Sequence, residues 1–135
     1  MSEEYVAIRV VMMPRDTNPH GTIFGGVVLS FIDQAGVIGA RREVVLAGGP
    51  QPVLVTVAFN RVEFKQPVLV GDVVSFRTAL VKFGRTSVTM RVRVEAERGP
   101  NVLHVTDAEV VYVAIDRPGP DARPAPLFPA ARNGP

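Results

Sequence analysis

The sequence contains no cysteine and no tryptophan. The lack of cysteine excludes disulfide scaffolds, cysteine-based zinc sites and thiol nucleophiles. No stretch is long and apolar enough to span a bilayer, and residues 1–5 lack the basic and apolar regions of a secretory signal. These absences predict a soluble, cytoplasmic protein with no membrane partner.

Charge is also modest, with a formal net charge of +2. The basic residues are spread along strand-like segments and are not clustered with aromatic residues, which argues against a nucleic-acid partner. The two histidines, His20 and His104, are isolated in the sequence and do not make a metal site. We therefore expect neither a bound metal nor a resident cofactor.

The length of 135 residues suits a single domain. Its apolar residues are mainly valine, which favours strands. Chain order predicts one strand, one long helix and four further strands, and hence an α+β fold. The predicted elements are a strand at Tyr5–Met12, a helix from Gly26 to about Arg42, and strands at Val53–Phe64, Val73–Phe83, Thr86–Arg98 and Val102–Asp116.

Two of these elements carry further information about packing. The helix is apolar almost all round, so we expect one face to meet the sheet and the other a second subunit. Gly36 and Gly39 each cost roughly 1 kcal/mol relative to alanine, which is tolerable if they bring the helix close to the sheet. Val53–Phe64 is apolar on both alternating faces and is predicted to be a central strand.

The end of the chain differs in composition from the rest. Residues 118–135 are too rich in proline to be expected in a sheet, and they are predicted to form a mobile tail after a domain of residues 1–117.

The most informative segment is the turn-rich stretch Met13–Gly26 together with Asp33 in the helix that follows. Gly25 and Gly26 would present bare N–H groups at the positive end of the helix dipole. Asp33 lies two turns later as a lone carboxylate in an apolar segment. An electrophilic helix end beside a buried base is what acyl hydrolysis requires.

Each of these residues also has a simpler interpretation. Asp33 could be solvated, or paired with Arg41 or Arg42, although its helical neighbours are apolar. The two glycines could serve simply to relieve crowding at the helix entrance, with no catalytic role. Asn18, before Pro19, is most simply a turn residue, and His20 is more often a loop histidine than a catalyst.

A second glycine turn lies between the predicted strands Val73–Phe83 and Thr86–Arg98. Gly84-Arg85 is predicted to be a two-residue hairpin loop of type II′.

In this order and spacing, Met13–Gly26, Asp33, Phe64–Pro67, Val70–Asp72 and Phe83–Ser87 resemble the hotdog-fold acyl-CoA thioesterases, in their acyl-CoA hydrolase branch. The likeness covers roughly residues 5–116. It implies an antiparallel sheet wrapped around the long helix, subunits that pair edge to edge, and dimers that often assemble into hexamers, as trimers of dimers.

The resemblance also implies roles for individual residues. Asp33 matches the family's catalytic aspartate, and the Gly26 N–H would polarise the thioester carbonyl. Some members carry asparagine or aspartate where this chain has Thr22, which leaves Asp33 as the candidate base. Contacts to CoA or the acyl chain are expected from the following residues: Gly25, Asn18, Lys65, Gly84, Arg85, Thr86 and Ser87. Arg85, with Lys65 or Lys82 nearby, would supply positive charge for the anionic CoA.

Three functions remain open at this point. The first is hydrolysis of acyl-CoA, with Asp33 as general base or nucleophile and CoA as part of the substrate. The second is non-hydrolytic acyl-CoA binding on the same fold. The third is a hotdog dehydratase, which would need His20 or His104 to act with the helix carboxylate.

Overall fold

The computed structural model describes residues 3–130, which form one antiparallel sheet and one long helix. The strands are β1 (Tyr5–Val11), β2 (Val53–Asn60), β3 (Val73–Phe83), β4 (Ser87–Arg98) and β5 (Asn101–Ile115), and the helix α1 spans Gly25–Leu46. A short 3₁₀ turn covers Pro14–Asp16. The strand order in the sheet is β1-β3-β4-β5-β2, and every neighbouring pair is antiparallel. The predicted α+β architecture is confirmed.

The core lies between α1 and one face of the sheet. In β4 the alternate side chains that face α1 are all fully buried: Val88, Met90, Val92, Val94 and Ala96. Charged residues between them form cross-strand ion pairs on the other face, such as Arg77 with Glu95 at 3.3 Å. This period of two explains why the segment is a strand with one polar face.

Glycines bring α1 close to the sheet. A side chain on Gly36 would overlap the hydroxyl of Tyr112, and one on Gly39 would overlap the side chain of Thr78. The expectation that these residues let the helix approach the sheet is confirmed. Their low helix propensity is the cost of that contact.

The position of β2 differs from the prediction. It is an edge strand, not a central one, and it ends at Asn60 because Arg61 adopts the left-handed region with φ 55°. Val53, Val55, Val57 and Phe59 are substantially exposed. An apolar pattern on both faces does not distinguish a strand inside its own sheet from an edge strand whose apolar side chains lack a partner.

The prediction that the proline-rich segment stays clear of the sheet as a mobile tail is wrong for Ala122–Phe128. The segment Ala122–Phe128, here called the C-terminal strap, folds back along the end of β5 through a bridge between Ile115 and Pro124. Leu127 is 1% exposed and belongs to the hydrophobic core. Residues 131–135 of the predicted tail lie outside the described residues.

The turn between β3 and β4 also differs from the predicted two-residue loop. Phe83 pairs with Val88, so four residues and not two form the loop, and the Gly84 N–H donates to the Ser87 carbonyl at 2.7 Å. Gly84 does not have the positive φ that a type II′ turn requires at that position. A side chain at position 84 would overlap the Ser87 hydroxyl in its present rotamer.

Candidate active site

The loop before α1 is shaped by Asn18. Its Oδ1 accepts hydrogen bonds from the backbone N–H groups of His20 at 2.9 Å and Thr22 at 3.2 Å, and its Nδ2 donates to the Thr22 hydroxyl at 2.8 Å. The side chain therefore closes the loop in the way expected of a turn residue.

Backbone hydrogen bonds then fix the point where the loop enters α1. The Ile23 N–H donates to the Val68 carbonyl and the Phe24 N–H to the Asp16 carbonyl, both at 2.8 Å. Val68 precedes a turn that is held by Asp72, whose buried carboxylate accepts two hydrogen bonds from Arg98, at 3.0 and 2.8 Å. The start of α1 is thus tied to an ion pair whose carboxylate is buried.

The electrostatics of Asp72 follow from these partners. Burial alone would raise the pKa of its carboxyl group, but hydrogen bonds from Arg98 and the Leu69 N–H, with the Arg98 charge, hold the pKa below its ordinary value. Asp72 therefore stays ionised at neutral pH.

The first turn of α1 has open N–H groups. Phe24 is the N-cap but supplies no side-chain hydrogen bond, and the first turn contains no acidic residue. Within residues 3–130, no acceptor is found for the N–H groups of Gly25 and Gly26. A side chain on Gly26 would collide with the Phe24 ring, whereas one on Gly25 would make an ordinary contact with Phe64 at 3.8 Å. Gly26 thus gives the Phe24 ring room in its present position, and its N–H is open among the described residues.

Asp33 lies two turns into α1 and is half-buried. The hydroxyl of Thr56, on β2, donates to Asp33 Oδ1 at 2.7 Å. The carboxylate borders a shallow cleft of about 320 Å³ that Gln34, Val37 and Ile38 also line. Among the described residues Asp33 forms no ion pair, so the alternative of a structural pair with Arg41 or Arg42 is not supported.

Tyr112 fixes the backbone beneath Asp33. Its hydroxyl, fully buried, donates to the Asp33 carbonyl at 2.9 Å. Burial, and then the nearby Asp33 charge, raise the pKa of this hydroxyl above its usual value, so it remains a donor at neutral pH. Asp33 is therefore held from the backbone by Tyr112 and from the side chain by Thr56.

Sequence reasoning missed Thr56 and Tyr112. The available signal for Thr56 was a single hydroxyl residue among apolar ones in Val53–Phe59. Its pairing with Asp33 depends on how β2 lies against α1, which no local pattern gives.

The expected CoA-contacting residues do not all come together in one chain. The Lys65 N–H donates to the Val105 carbonyl, while the Ala114 N–H donates to the Thr86 carbonyl. Residues 105 and 114 are nine positions apart along β5, about 30 Å at a strand's rise per residue. Lys65 thus lies near the start of α1, and the turn Gly84–Ser87 near its C-terminal end.

Two further features bear on the chemistry of this chain. Within residues 3–130 no group of three or more histidine or acidic side chains could hold a metal ion. In the same part of the chain, no helix is long and apolar enough to cross a membrane.

Comparison with known proteins places this arrangement in a family. The Thioesterase superfamily matches residues 20–103. The acyl-CoA thioester hydrolase YciA of Salmonella typhimurium is 37% identical over 127 residues, which cover 90% of this chain and 89% of that protein.

Solved structures agree with this relationship. A hexameric hotdog-fold thioesterase of Campylobacter jejuni superimposes with a TM-score of 0.79 at 38% identity, covering 90% of this chain and 88% of the other. A hexameric thioesterase from Yersinia pestis gives a TM-score of 0.81 at 32% identity, covering 96% and 99%. The resemblance predicted from the motifs is confirmed, and the chain belongs to the thioesterase superfamily, among the hotdog-fold acyl-CoA thioester hydrolases.

Proposed function

We propose that this protein hydrolyses acyl-CoA thioesters to a free carboxylic acid and CoA. The observation that carries the proposal is the Asp33 carboxylate, oriented by Thr56 at the edge of a cleft and two turns from the open N–H groups that begin α1. The Salmonella relative named above is an acyl-CoA thioester hydrolase and the two solved relatives are thioesterases, and this chain carries an aspartate suited to that reaction.

In the proposed reaction Asp33 takes a proton from water as the water oxygen bonds to the thioester carbonyl carbon. The Gly26 N–H donates to the carbonyl oxygen, where negative charge grows. The C–S bond then breaks, and the CoA thiolate leaves and takes from Asp33 the proton that came from water, which returns Asp33 to its carboxylate form. No other group is needed to balance the reaction.

The spacing of the two residues argues against direct attack by Asp33 on a carbonyl held at Gly26 of the same chain. Gly26 and Asp33 are seven residues apart on one helix, about 10 Å along its axis. The Gly26 N–H points towards the N-terminal end of the helix, away from Asp33, so a carbonyl oxygen bound there lies about 3 Å further off.

We also propose that the working form is a homo-oligomer. Beside the cleft, Ile38, Val45 and Leu46 are 40%, 45% and 65% exposed. The solved relatives are described as hexameric. A second copy packed with its α1 antiparallel would cover this surface, and it would bring Arg85 of one chain towards Gly26 and Lys65 of the other.

The direct test of hydrolysis is release of free thiol from a panel of acyl-CoA esters of increasing chain length. We expect turnover of at least some members. Tight binding of acyl-CoA without thiol release would favour a non-hydrolytic binding protein instead.

A dehydratase has less support from the geometry. His104 pairs with Asp107 at 3.0 Å, and His20 is exposed in the loop before α1. Within residues 3–130 neither histidine contacts Asp33. The cytoplasmic location expected from the sequence stays a prediction, which cell fractionation tests.

A further inference from the structure

The C-terminal strap uses its prolines in a regular way. The backbone N–H groups of Arg123, Ala125 and Leu127 donate to Asp116 Oδ1, the Ala114 carbonyl and the Arg85 carbonyl at 3.0, 2.8 and 3.0 Å. The alternating residues Pro124 and Pro126 have no N–H to donate. A period of two therefore places each proline where the strand needs no donor.

Two side chains at the end of the strap anchor it to the domain. Leu127 is buried in the core. Phe128 packs edge-on against Phe83, the last residue of β3, with ring centroids 5.1 Å apart. The strap backbone passes so close to Gly49, just after α1, that a side chain at that position would press against Leu127 and Phe128.

Through these contacts the strap holds the backbone of the turn Gly84–Ser87 in place. Its Leu127 N–H holds the Arg85 carbonyl, and the adjacent Thr86 carbonyl is held by the Ala114 N–H at 2.7 Å. The Arg85 side chain is exposed, and among residues 3–130 it has no ion-pair partner. The turn is thus fixed through its backbone while its cation points outward.

We propose that the C-terminal strap positions the Gly84–Ser87 turn to bind the nucleotide phosphates of CoA, with Leu127 and Phe128 as the positioning residues. This inference rests on the proposed function, because only an acyl-CoA substrate presents those phosphates. A guanidinium binds phosphate best when its backbone is held in a fixed geometry. Loosening the strap should therefore weaken binding of the nucleotide and leave chemistry at the thioester unchanged.

The experiment compares two substrates that share one thioester and differ in the nucleotide: butyryl-CoA and S-butyryl-pantetheine. We would measure kcat and KM for both with the parent protein and with the Leu127→Ala, Phe128→Ala and Arg85→Ala variants. The preference is the ratio of kcat/KM for butyryl-CoA to kcat/KM for S-butyryl-pantetheine. In each variant this ratio should fall by about tenfold, because KM for butyryl-CoA rises while kcat stays the same. Values for S-butyryl-pantetheine should stay close to those of the parent.

Val94→Ala is the control for a general loss of stability, because Val94 is fully buried far along β4 from the turn. It should lower the unfolding temperature but keep the substrate preference. Leu127→Met should restore the preference that Leu127→Ala loses. Phe128 is 39% exposed, so its truncation keeps the test valid if Leu127→Ala does not fold.

The outcomes separate the inference from the proposed function. If the parent hydrolyses neither substrate, the proposed function fails and the inference falls with it. If Arg85→Ala loses the preference but the strap variants keep it, the strap has no positioning role while the hydrolase assignment stands. If Arg85→Ala also keeps the preference, the turn does not bind the nucleotide and the inference is overturned.

Discussion

The two faces of α1 differ in what they contribute. The face on the sheet is closed, since Val28, Ile32, Ala35 and Val44 are buried and Gly36 and Gly39 admit Tyr112 and Thr78 without any gap. The opposite face carries Asp33, a shallow cleft and exposed apolar residues. The closed face of the helix thus contributes to stability, and the open face carries the residues proposed for catalysis. Substitutions on the two faces should therefore change different measurements.

The largest effect is expected on the open face. Asp33→Ala removes the proposed base and should lower kcat by about 10² to 10⁴, because no other carboxylate borders the cleft among the residues that the structure describes. Its unfolding temperature should stay close to that of the parent. Gln34→Ala, which changes the next residue of the same cleft, is the matched control and should keep kcat. A parent-like rate in Asp33→Ala would remove Asp33 from the mechanism.

On the closed face, Gly36→Ala should lower the free energy of unfolding by about 1–3 kcal/mol, even though alanine is the better helix former. The added methyl group would overlap the Tyr112 hydroxyl. Chemical denaturation measures the loss, and Ser30→Ala, on the exposed side of the same helix, should be neutral or slightly stabilising. Equal stability of Gly36→Ala and the parent would mean that the helix and sheet are not in close contact there.

A buried charge outside α1 gives a third test. Asp72→Asn leaves Arg98 without its carboxylate and should lower the free energy of unfolding by about 1–3 kcal/mol at neutral pH. Because the folded-state pKa of Asp72 lies below its unfolded value, its contribution is complete above an unfolded pKa of about 3.9. That contribution is lost as pH falls through the folded pKa.

Unfolding curves recorded at neutral pH and in acid check this sign. The difference between the parent and Asp72→Asn should shrink as the pH falls below about 4. A difference that is constant over this range would show that the Asp72 charge does not stabilise the fold.

The smallest effect is expected for Thr56, the sheet residue that hydrogen-bonds to Asp33 on α1. Thr56→Val keeps the shape of the side chain but removes its hydrogen bond to Asp33 Oδ1. We expect kcat to fall by about tenfold and stability to change by less than about 1 kcal/mol. Thr56→Ser, which keeps the hydroxyl, should recover most of the rate. If Thr56→Val has the parent's kcat, Thr56 does not orient the base.

Most of the fold was predictable from local patterns. The alternation in β4 and the length of the apolar helix identified these elements, and the lone carboxylate identified Asp33 before its surroundings were known. Two expectations failed because they depend on which segments pack together, which a local sequence pattern does not show. The apolar faces of β2 do not say whether its neighbours lie in the same chain. The high proline content of the strap suggested that it could not join a sheet. Its prolines alternate with residues that donate a backbone N–H, and this alternation makes the segment compatible with a strand.

The candidate site was predictable only in part. Gly25, Gly26 and Asp33 share one helix, so their relation follows from sequence spacing alone. Thr56 and Tyr112 approach Asp33 from distant strands. The separation of Lys65 from Arg85 depends on where along β5 their segments pair. Such long-range relations are set by sheet order, which local hydrophobic periodicity does not encode.

The exposed apolar side of α1 has a practical consequence for kinetic work on this protein. If neighbouring copies cover that side, dilution to the low concentrations used in steady-state assays would favour dissociation by mass action. Specific activity would then depend on how much protein is in the cuvette, and on how long it has been there. Rates collected over a wide dilution series would report subunit association together with thioester cleavage.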